Sequence, residues 1–283
     1  MRAFIETRDA DAAARVPDLL AELGVTVADE LVGAVRTYRL TPSTIDPEHT
    51  EHVFVYVHGG AYVLNAGRAG LAEAALIAAR CGIQVVAVDY RMPPAEPFPA
   101  GFDDVLKVWS ALSGEFSPTS FAMGGTSAGG GLVLAVVQEL LATGRPVPGS
   151  LFAGTPWSDL TRTGDSYVTN EGVDRLLISY DATLALAARA YAGPHALTDR
   201  RISPVYGEFD GFPPTMLVSG TRDLFLSNTA RVHTKLRKAG AESDLLVFEG
   251  VSHADYALEA TSPEHHLTYA ELNRFLLQHL TAQ

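Results

Sequence analysis

A single cysteine, Cys81, among 283 residues excludes an internal disulfide framework and fits a reducing compartment. It lies in Ala78-Ala79-Arg80-Cys81-Gly82, at an expected helix end, and reads as a packing residue. Positive charge is scarce too: 21 Lys and Arg stand against 33 Asp and Glu, a formal net charge of −12. That balance argues against nucleic acid and against stable association with anionic membranes, and says little about a neutral substrate. No stretch reaches the roughly 18 apolar residues of a membrane span. Met1 to Ala14 carries Glu6, Asp9 and Asp11 and lacks the apolar run of a signal peptide, so a soluble cytoplasmic protein is expected. There is no repeat period, no low-complexity segment and no His/Cys/Asp cluster with ligand spacing. Neither a metal nor another cofactor is expected.

What the chain does have is enough apolar material, 47% of residues, for one sizeable core. Short apolar runs alternate with helix-like stretches. Strands are expected at Val53–Val57, Val85–Asp89, Phe121–Gly124, Leu151–Ala153, Thr215–Ser219 and Leu245–Phe248, with helices near 69–81, 101–113, 128–143, 226–239 and 263–281. That alternation predicts an α/β fold: a mostly parallel sheet covered on both faces, with reacting groups at the carboxyl ends of its strands. Two regions break the alternation. Residues 1–37 read as N-terminal cap helices, clearest at Ala10–Leu23. Within the core, 38–283, a second cap segment is expected at about 158–210, with an Ala-rich helix at Tyr180–Tyr191. Together they are expected to lie as a helical lid over the strand ends.

The most informative segment is Gly125-Thr126-Ser127-Ala128-Gly129. An isolated G-x-S-x-G also fits a Gly-rich turn whose serine merely caps a helix. Here an apolar strand precedes it and a helix of Leu, Val and Ala follows, the context of a nucleophile elbow. The glycines leave room for a sharp turn, and the Ser127 hydroxyl stands at the positive end of a helix dipole. After the strand Val53–Val57 comes His58-Gly59-Gly60-Ala61-Tyr62. Taken alone this is a Gly-Gly turn; beside Ser127, the amides of Gly59 and Gly60, with that of Ala128, form an expected oxyanion pocket. His58 itself reads as a structural brace.

Of nine histidines, His253 lies in a loop just after the strand Leu245–Phe248, at the edge that carries Ser127. It is the expected base. Asp223, in Gly220-Thr221-Arg222-Asp223 after Thr215–Ser219, is the expected acid, holding the imidazole tautomer and stabilising the imidazolium. Its other readings are a helix N-cap or a salt bridge to Arg222, and Glu249 is the nearest alternative acid. The resulting chain order is Ser, Asp, His.

His58-Gly59-Gly60, Val88-Asp89-Tyr90-Arg91 with Glu96-Pro97-Phe98-Pro99-Ala100, Gly125-Thr126-Ser127-Ala128-Gly129-Gly130 and Pro156-Trp157-Ser158-Asp159-Leu160 together resemble the bacterial hormone-sensitive-lipase family, or family IV carboxylesterases, in its G-T-S-A-G branch. The resemblance runs from about residue 50 to the C-terminus. It implies an α/β-hydrolase fold with a helical cap, carboxylesterase activity on small acyl esters and, often, a homodimer. Two departures stand out. Ala61 replaces a usual third glycine yet keeps its N–H, and Met92-Pro93-Pro94 replaces the usual L-A-P.

The expected function is therefore a serine carboxylesterase acting on short- to medium-chain acyl esters, its partner a small-molecule ester. The same triad can open a lactone or cleave an activated amide such as a formamide. A non-catalytic ligand-binding relative would keep the pocket and lose a triad member. A nucleotide-binding reading of the Gly-rich turn fails for want of the phosphate-loop lysine and an acidic ribose ligand.

Overall fold

The computed structural model describes residues 2–281. The chain opens with α1 (Arg2–Leu23) and the strands β1 (Val25–Val32) and β2 (Val35–Pro42). Strands and helices then alternate: β3 (Val53–Val57), α2 (Ala72–Cys81), β4 (Gln84–Val88), α3 (Ala100–Glu115), β5 (Phe121–Thr126), α4 (Ala128–Ala142) and β6 (Ser150–Gly154). An insertion carries α5 (Ser166–Thr169), a π-helical turn at Tyr180–Leu184 and α6 (Ala185–Ala192). The chain returns through β7 (Thr215–Gly220), α7 (Leu226–Lys238), β8 (Ser243–Phe248), α8 (Asp255–Leu258) and α9 (Pro263–His279).

The eight strands form one sheet in the order β1-β2-β4-β3-β5-β6-β7-β8. From β4 to β8 every pairing is parallel. Side-chain direction alternates along each strand and sorts the core into two layers. Val55, Val57, Met123, Leu151, Ala153 and Leu217 pack with residues of α3, α4 and α7. Phe54, Tyr56, Ala122, Phe152, Met216 and Val218 pack with α2 and α9 on the opposite face. All six expected strands are present, with ends differing by no more than two residues.

The N-terminal expectation needs correction. Only α1 is helical in residues 2–37; β1 and β2 form an antiparallel hairpin, and β2 pairs antiparallel with β4. A boundary at residue 37 therefore cuts through β2. Gly33 and Ala34 both take left-handed φ, 57° and 64°, the two-residue turn whose twist matches a hairpin. The helix expected at Tyr180–Tyr191 begins instead as the π-helical turn and becomes regular only at Ala185.

Chain order reverses direction across the sheet at β3. The chain leaves β3 for β4 on one side, and β5 lies on the other. Such a switch point opens a crevice at the carboxyl ends of the two strands. It sets the segment after β3 beside the segment after β5. Both irregular regions reach this edge. Asp9 of α1 accepts from the Asn65 and Ala66 amides at 2.6 and 3.3 Å, and Tyr191 of α6 stacks on Tyr62 at 3.9 Å.

Leu272 of α9 is fully buried in the layer it shares with α2. Leu272→Ala is expected to lower unfolding stability by about 2–5 kcal/mol, measured by chemical denaturation, because neighbouring helices only partly fill the void.

Candidate active site

Ser127 is the single residue between β5 and α4, held at φ 61°, ψ −122°. A non-glycine residue in such a region costs about 1–3 kcal/mol and persists only where its surroundings impose it. They do so through both flanking peptide groups. The Ser127 amide donates to the Gly154 carbonyl at 2.8 Å, and its carbonyl accepts from the Gly131 and Trp157 amides at 3.0 and 2.9 Å. A side chain at Gly125 or Gly129 would overlap the Val57 carbonyl oxygen, so both glycines are required by the approach of β3.

Asp223 and His253 follow β7 and β8, and both are buried. His253 Nδ1 lies 3.0 Å from Asp223 Oδ1, which also accepts from the Phe225 amide at 2.8 Å. Asp223 Oδ2 accepts from the Ser219 hydroxyl at 2.9 Å and from the Thr155 hydroxyl. Thr155 Oγ1 is also 3.0 Å from His253 Nδ1, so one hydroxyl touches both members of the pair. Thr155 itself is fully buried with φ of 36°. Asp223 thus has four donors around its two oxygens, and Phe225 packs edge-on against the imidazole at 4.8 Å. Glu249, the alternative acid, is exposed, and the imidazole bonds Asp223.

Behind the elbow sits a brace that sequence reasoning missed. Thr126 Oγ1 bonds Glu73 Oε1 of α2 at 2.5 Å and the Tyr256 hydroxyl at 2.7 Å, while the Tyr56 hydroxyl donates to Glu73 Oε2 at 2.9 Å. Burial pushes the Glu73 carboxyl above its ordinary range, against the lowering pull of the Thr126 and Tyr56 hydroxyls and of His253. A side chain at Gly154 would occupy the place of the Tyr256 hydroxyl. Tyr256 stands three residues beyond His253, so this network ties the serine turn to the histidine loop.

The glycine loop after β3 is aimed by bonds on its far side. In a trans peptide the C=O and the next N–H point in opposite directions. The His58 carbonyl accepts from the Tyr90 hydroxyl at 2.9 Å, which turns the Gly59 N–H away from Tyr90. The Gly59 carbonyl accepts from Asn65 Nδ2 at 3.2 Å and lies 2.8 Å from His58 Nδ1, which fixes the Gly60 N–H. Gly131 and Trp157, holding the Ser127 carbonyl, do the same for Ala128. As the first residue of α4, Ala128 also lacks an intrahelical acceptor for its amide. A side chain at Gly59 would approach Ser127 Cβ to 3.3 Å, so the loop and the elbow are in contact.

The six expected site residues therefore gather at one edge. Asp223 bonds His253 directly, and Gly59 lies against the Ser127 turn with Gly60 next to it in the same loop. Among the described residues no hydrogen bond joins the Ser127 hydroxyl to His253; Thr126 and Tyr256 connect their segments instead. His58 is a brace, as expected, stacked on Tyr90 at 4.2 Å. Cys81 is buried, and burial pushes its thiol above the ordinary range. No described helix is long and apolar enough to cross a membrane.

Residues 54–257 match the family described as alpha/beta hydrolase fold. A crystal structure of the esterase E25 superposes with a TM-score of 0.97 at 45% identity, covering 99% of this chain and 86% of that one. A second crystal structure, an esterase from the bacterial hormone-sensitive lipase family, gives a TM-score of 0.85 at 26% identity, covering 96% of this chain and 99% of that one. An acetyl-hydrolase of Streptomyces hygroscopicus is 29% identical over 231 residues, 80% of this chain and 74% of that protein. The chain belongs to the α/β-hydrolase family. Within it, the chain is similar to bacterial hormone-sensitive-lipase-type esterases, and its enzyme class is carboxylic ester hydrolase.

Burial holds the His58 imidazole below its ordinary pKa of 6.5, and it does the same for His52, His233 and His265. The unfolded chain binds these protons near pH 6.5 and the folded chain resists them, so their contribution to stability is full above that pH and falls below it. Glu73, raised by burial, works in the opposite direction. Thermal melts are expected to show the midpoint dropping from pH 7 to pH 5, with a shallower slope in His58→Gln.

Proposed function

We propose that the chain is a serine carboxylesterase for short- to medium-chain acyl esters, with Ser127 as nucleophile, His253 as base and Asp223 as acid. The carrying observation is the strained Ser127 turn beside a bonded Asp223–His253 pair, 3.0 Å apart, at one edge of the sheet. In this reading His253 Nε2 takes the Ser127 proton as Oγ attacks the ester carbonyl. The Nδ1–H stays on Asp223, which fixes the tautomer and stabilises the imidazolium. The amides of Gly59, Gly60 and Ala128 receive the oxyanion; because their planes are already fixed, no reorganisation accompanies the charge. The imidazolium then protonates the departing alcohol, and water activated by the same ring releases the acid. The acetyl-hydrolase relative supports a short acyl group. α1 and the insertion serve as the cap over this edge, and Tyr191 stacked on Tyr62 closes its side nearest the glycine loop.

Ser127→Ala is expected to lose fluorophosphonate labelling entirely and to drop short-chain aryl ester hydrolysis by on the order of 10⁴-fold or more. Hydrolysis at the wild-type rate would refute the nucleophile. Asp223→Asn is expected to lose about 10⁴-fold in turnover and to slow labelling in step without abolishing it, since the amide favours the wrong imidazole tautomer. Turnover across aryl esters of increasing acyl length reads out the acyl preference, expected to peak at short to medium chains.

A further inference from the structure

The insertion between β6 and β7 begins as a polar, buried segment. Ser166, Asn170 and Asp174 are 3%, 8% and 1% exposed, although they lie in a loop region with only one turn of helix. Buried polar side chains need partners, and these find them on the turn that carries Asp223. Asn170 Nδ2 donates to the Thr221 carbonyl at 3.1 Å and to the Asp223 carbonyl at 2.8 Å. Asp174 Oδ2 accepts from the Leu224 amide at 2.8 Å, while its Oδ1 accepts from the Leu176 and Leu177 amides at 2.9 and 3.0 Å. The Ser166 hydroxyl donates to the Leu224 carbonyl at 2.7 Å and accepts from the Ser227 amide at 3.0 Å. The main chain on both sides of the acid is thus tied to the insertion.

The same segment reaches the histidine loop. The Arg175 amide donates to Ser252 Oγ at 3.2 Å, and the Arg175 guanidinium pairs with Asp255 at 2.9 Å. We propose that Asn170 and Asp174 are positioning residues that clamp the acid turn, so that residues 166–175 form a fixed bracket and are not part of a moving lid. The inference rests on the Ser127–His253–Asp223 reading. Neither residue touches substrate; each acts through the main chain of Asp223.

The magnitude follows from geometry. A misplacement of about 1 Å in a catalytic group can cost roughly 10²-fold, and a loosened acid turn frees Asp223 to drift on that scale. Asn170→Ala removes both donors. Asp174→Asn keeps the size, yet whichever way the amide sits, its NH₂ meets a backbone N–H that needs an acceptor. Each is expected to lower kcat by about 10- to 100-fold with KM within twofold, and to lower the acid limb of the kcat/KM pH profile, since a poorly held carboxylate supports the imidazolium less.

The deciding measurement is a double-variant cycle on aryl ester turnover and on the fluorophosphonate labelling rate. In an Asp223→Asn background, Asn170→Ala or Asp174→Asn is expected to add less than a threefold further loss. Arg200→Ala, which breaks an ion pair to Glu139 outside residues 166–175, is the control expected to leave kcat and the pH profile unchanged. Multiplying losses in the double variant, a raised KM at constant kcat, or wild-type kinetics in either single variant would overturn the bracket. If Asn170→Ala does not fold, Asp174→Asn alone decides. Normal single variants beside inactive Ser127→Ala and Asp223→Asn sink only the bracket; an active Ser127→Ala sinks the triad itself.

Discussion

The site rests on one close approach: the Val57 carbonyl oxygen at the end of β3 lies where a side chain at Gly125 or Gly129 would project. Parallel strands at a switch point bring two loops side by side, but ordinary side chains would keep those loops apart. Two glycines remove that barrier. The segment after β3 then sits directly on the Ser127 turn, with Gly59 against Ser127 Cβ. The spacing between Ser127 and the proposed oxyanion donors is consequently a property of main-chain packing. It needs no flexible side chain to hold it.

Direction is settled separately from distance. Each proposed oxyanion amide belongs to a peptide whose carbonyl is bonded on the far side: His58 by Tyr90, Gly59 by Asn65 and His58, Ser127 by Gly131 and Trp157. A free peptide could rotate to offer its carbonyl to the substrate instead. Here rotation would break one or two hydrogen bonds in a buried setting, where an unmade bond costs about 1–3 kcal/mol. This explains the burial of Tyr90 and the stacking of His58 upon it. Ala61 in place of a third glycine sits in the same frame at φ of 54°, with the Gly60 carbonyl accepting from Val63 and Leu64.

The central strands were legible because burial on both faces leaves continuous apolar runs, as in Val53–Val57 and Thr215–Gly220. The site was legible where local chain chemistry announces it, in a glycine-flanked serine and in polar residues just past strand ends. β1 was not, since an edge strand carries charges, here Asp29 and Glu30, and Gly33-Ala34 lacks the usual Asn-Gly signal. Thr155 was hidden for a different reason. Its value lies in a hydroxyl that meets Asp223 and His253, residues 68 and 98 positions away, through a backbone conformation that threonine rarely adopts. Glu73, Thr126 and Tyr256 converge from three elements, and no spacing rule joins them.

That convergence separates two carboxyl groups near one imidazole. Asp223 meets His253 directly and is surrounded by hydroxyl and amide donors. Glu73 faces hydroxyls alone, with no cationic side chain bonded to it, and burial works against its charge. In the proposed reaction Asp223 answers the charge that develops on the ring, whereas Glu73 holds the serine turn and the histidine loop together through hydroxyls. The insertion extends the same division. Its early part bonds the main chain of the Asp223 turn, whereas Tyr191, further along, stacks on Tyr62 beside the glycine loop. The Asp223 turn and the glycine loop thus both lean on one stretch of chain, which links their positions.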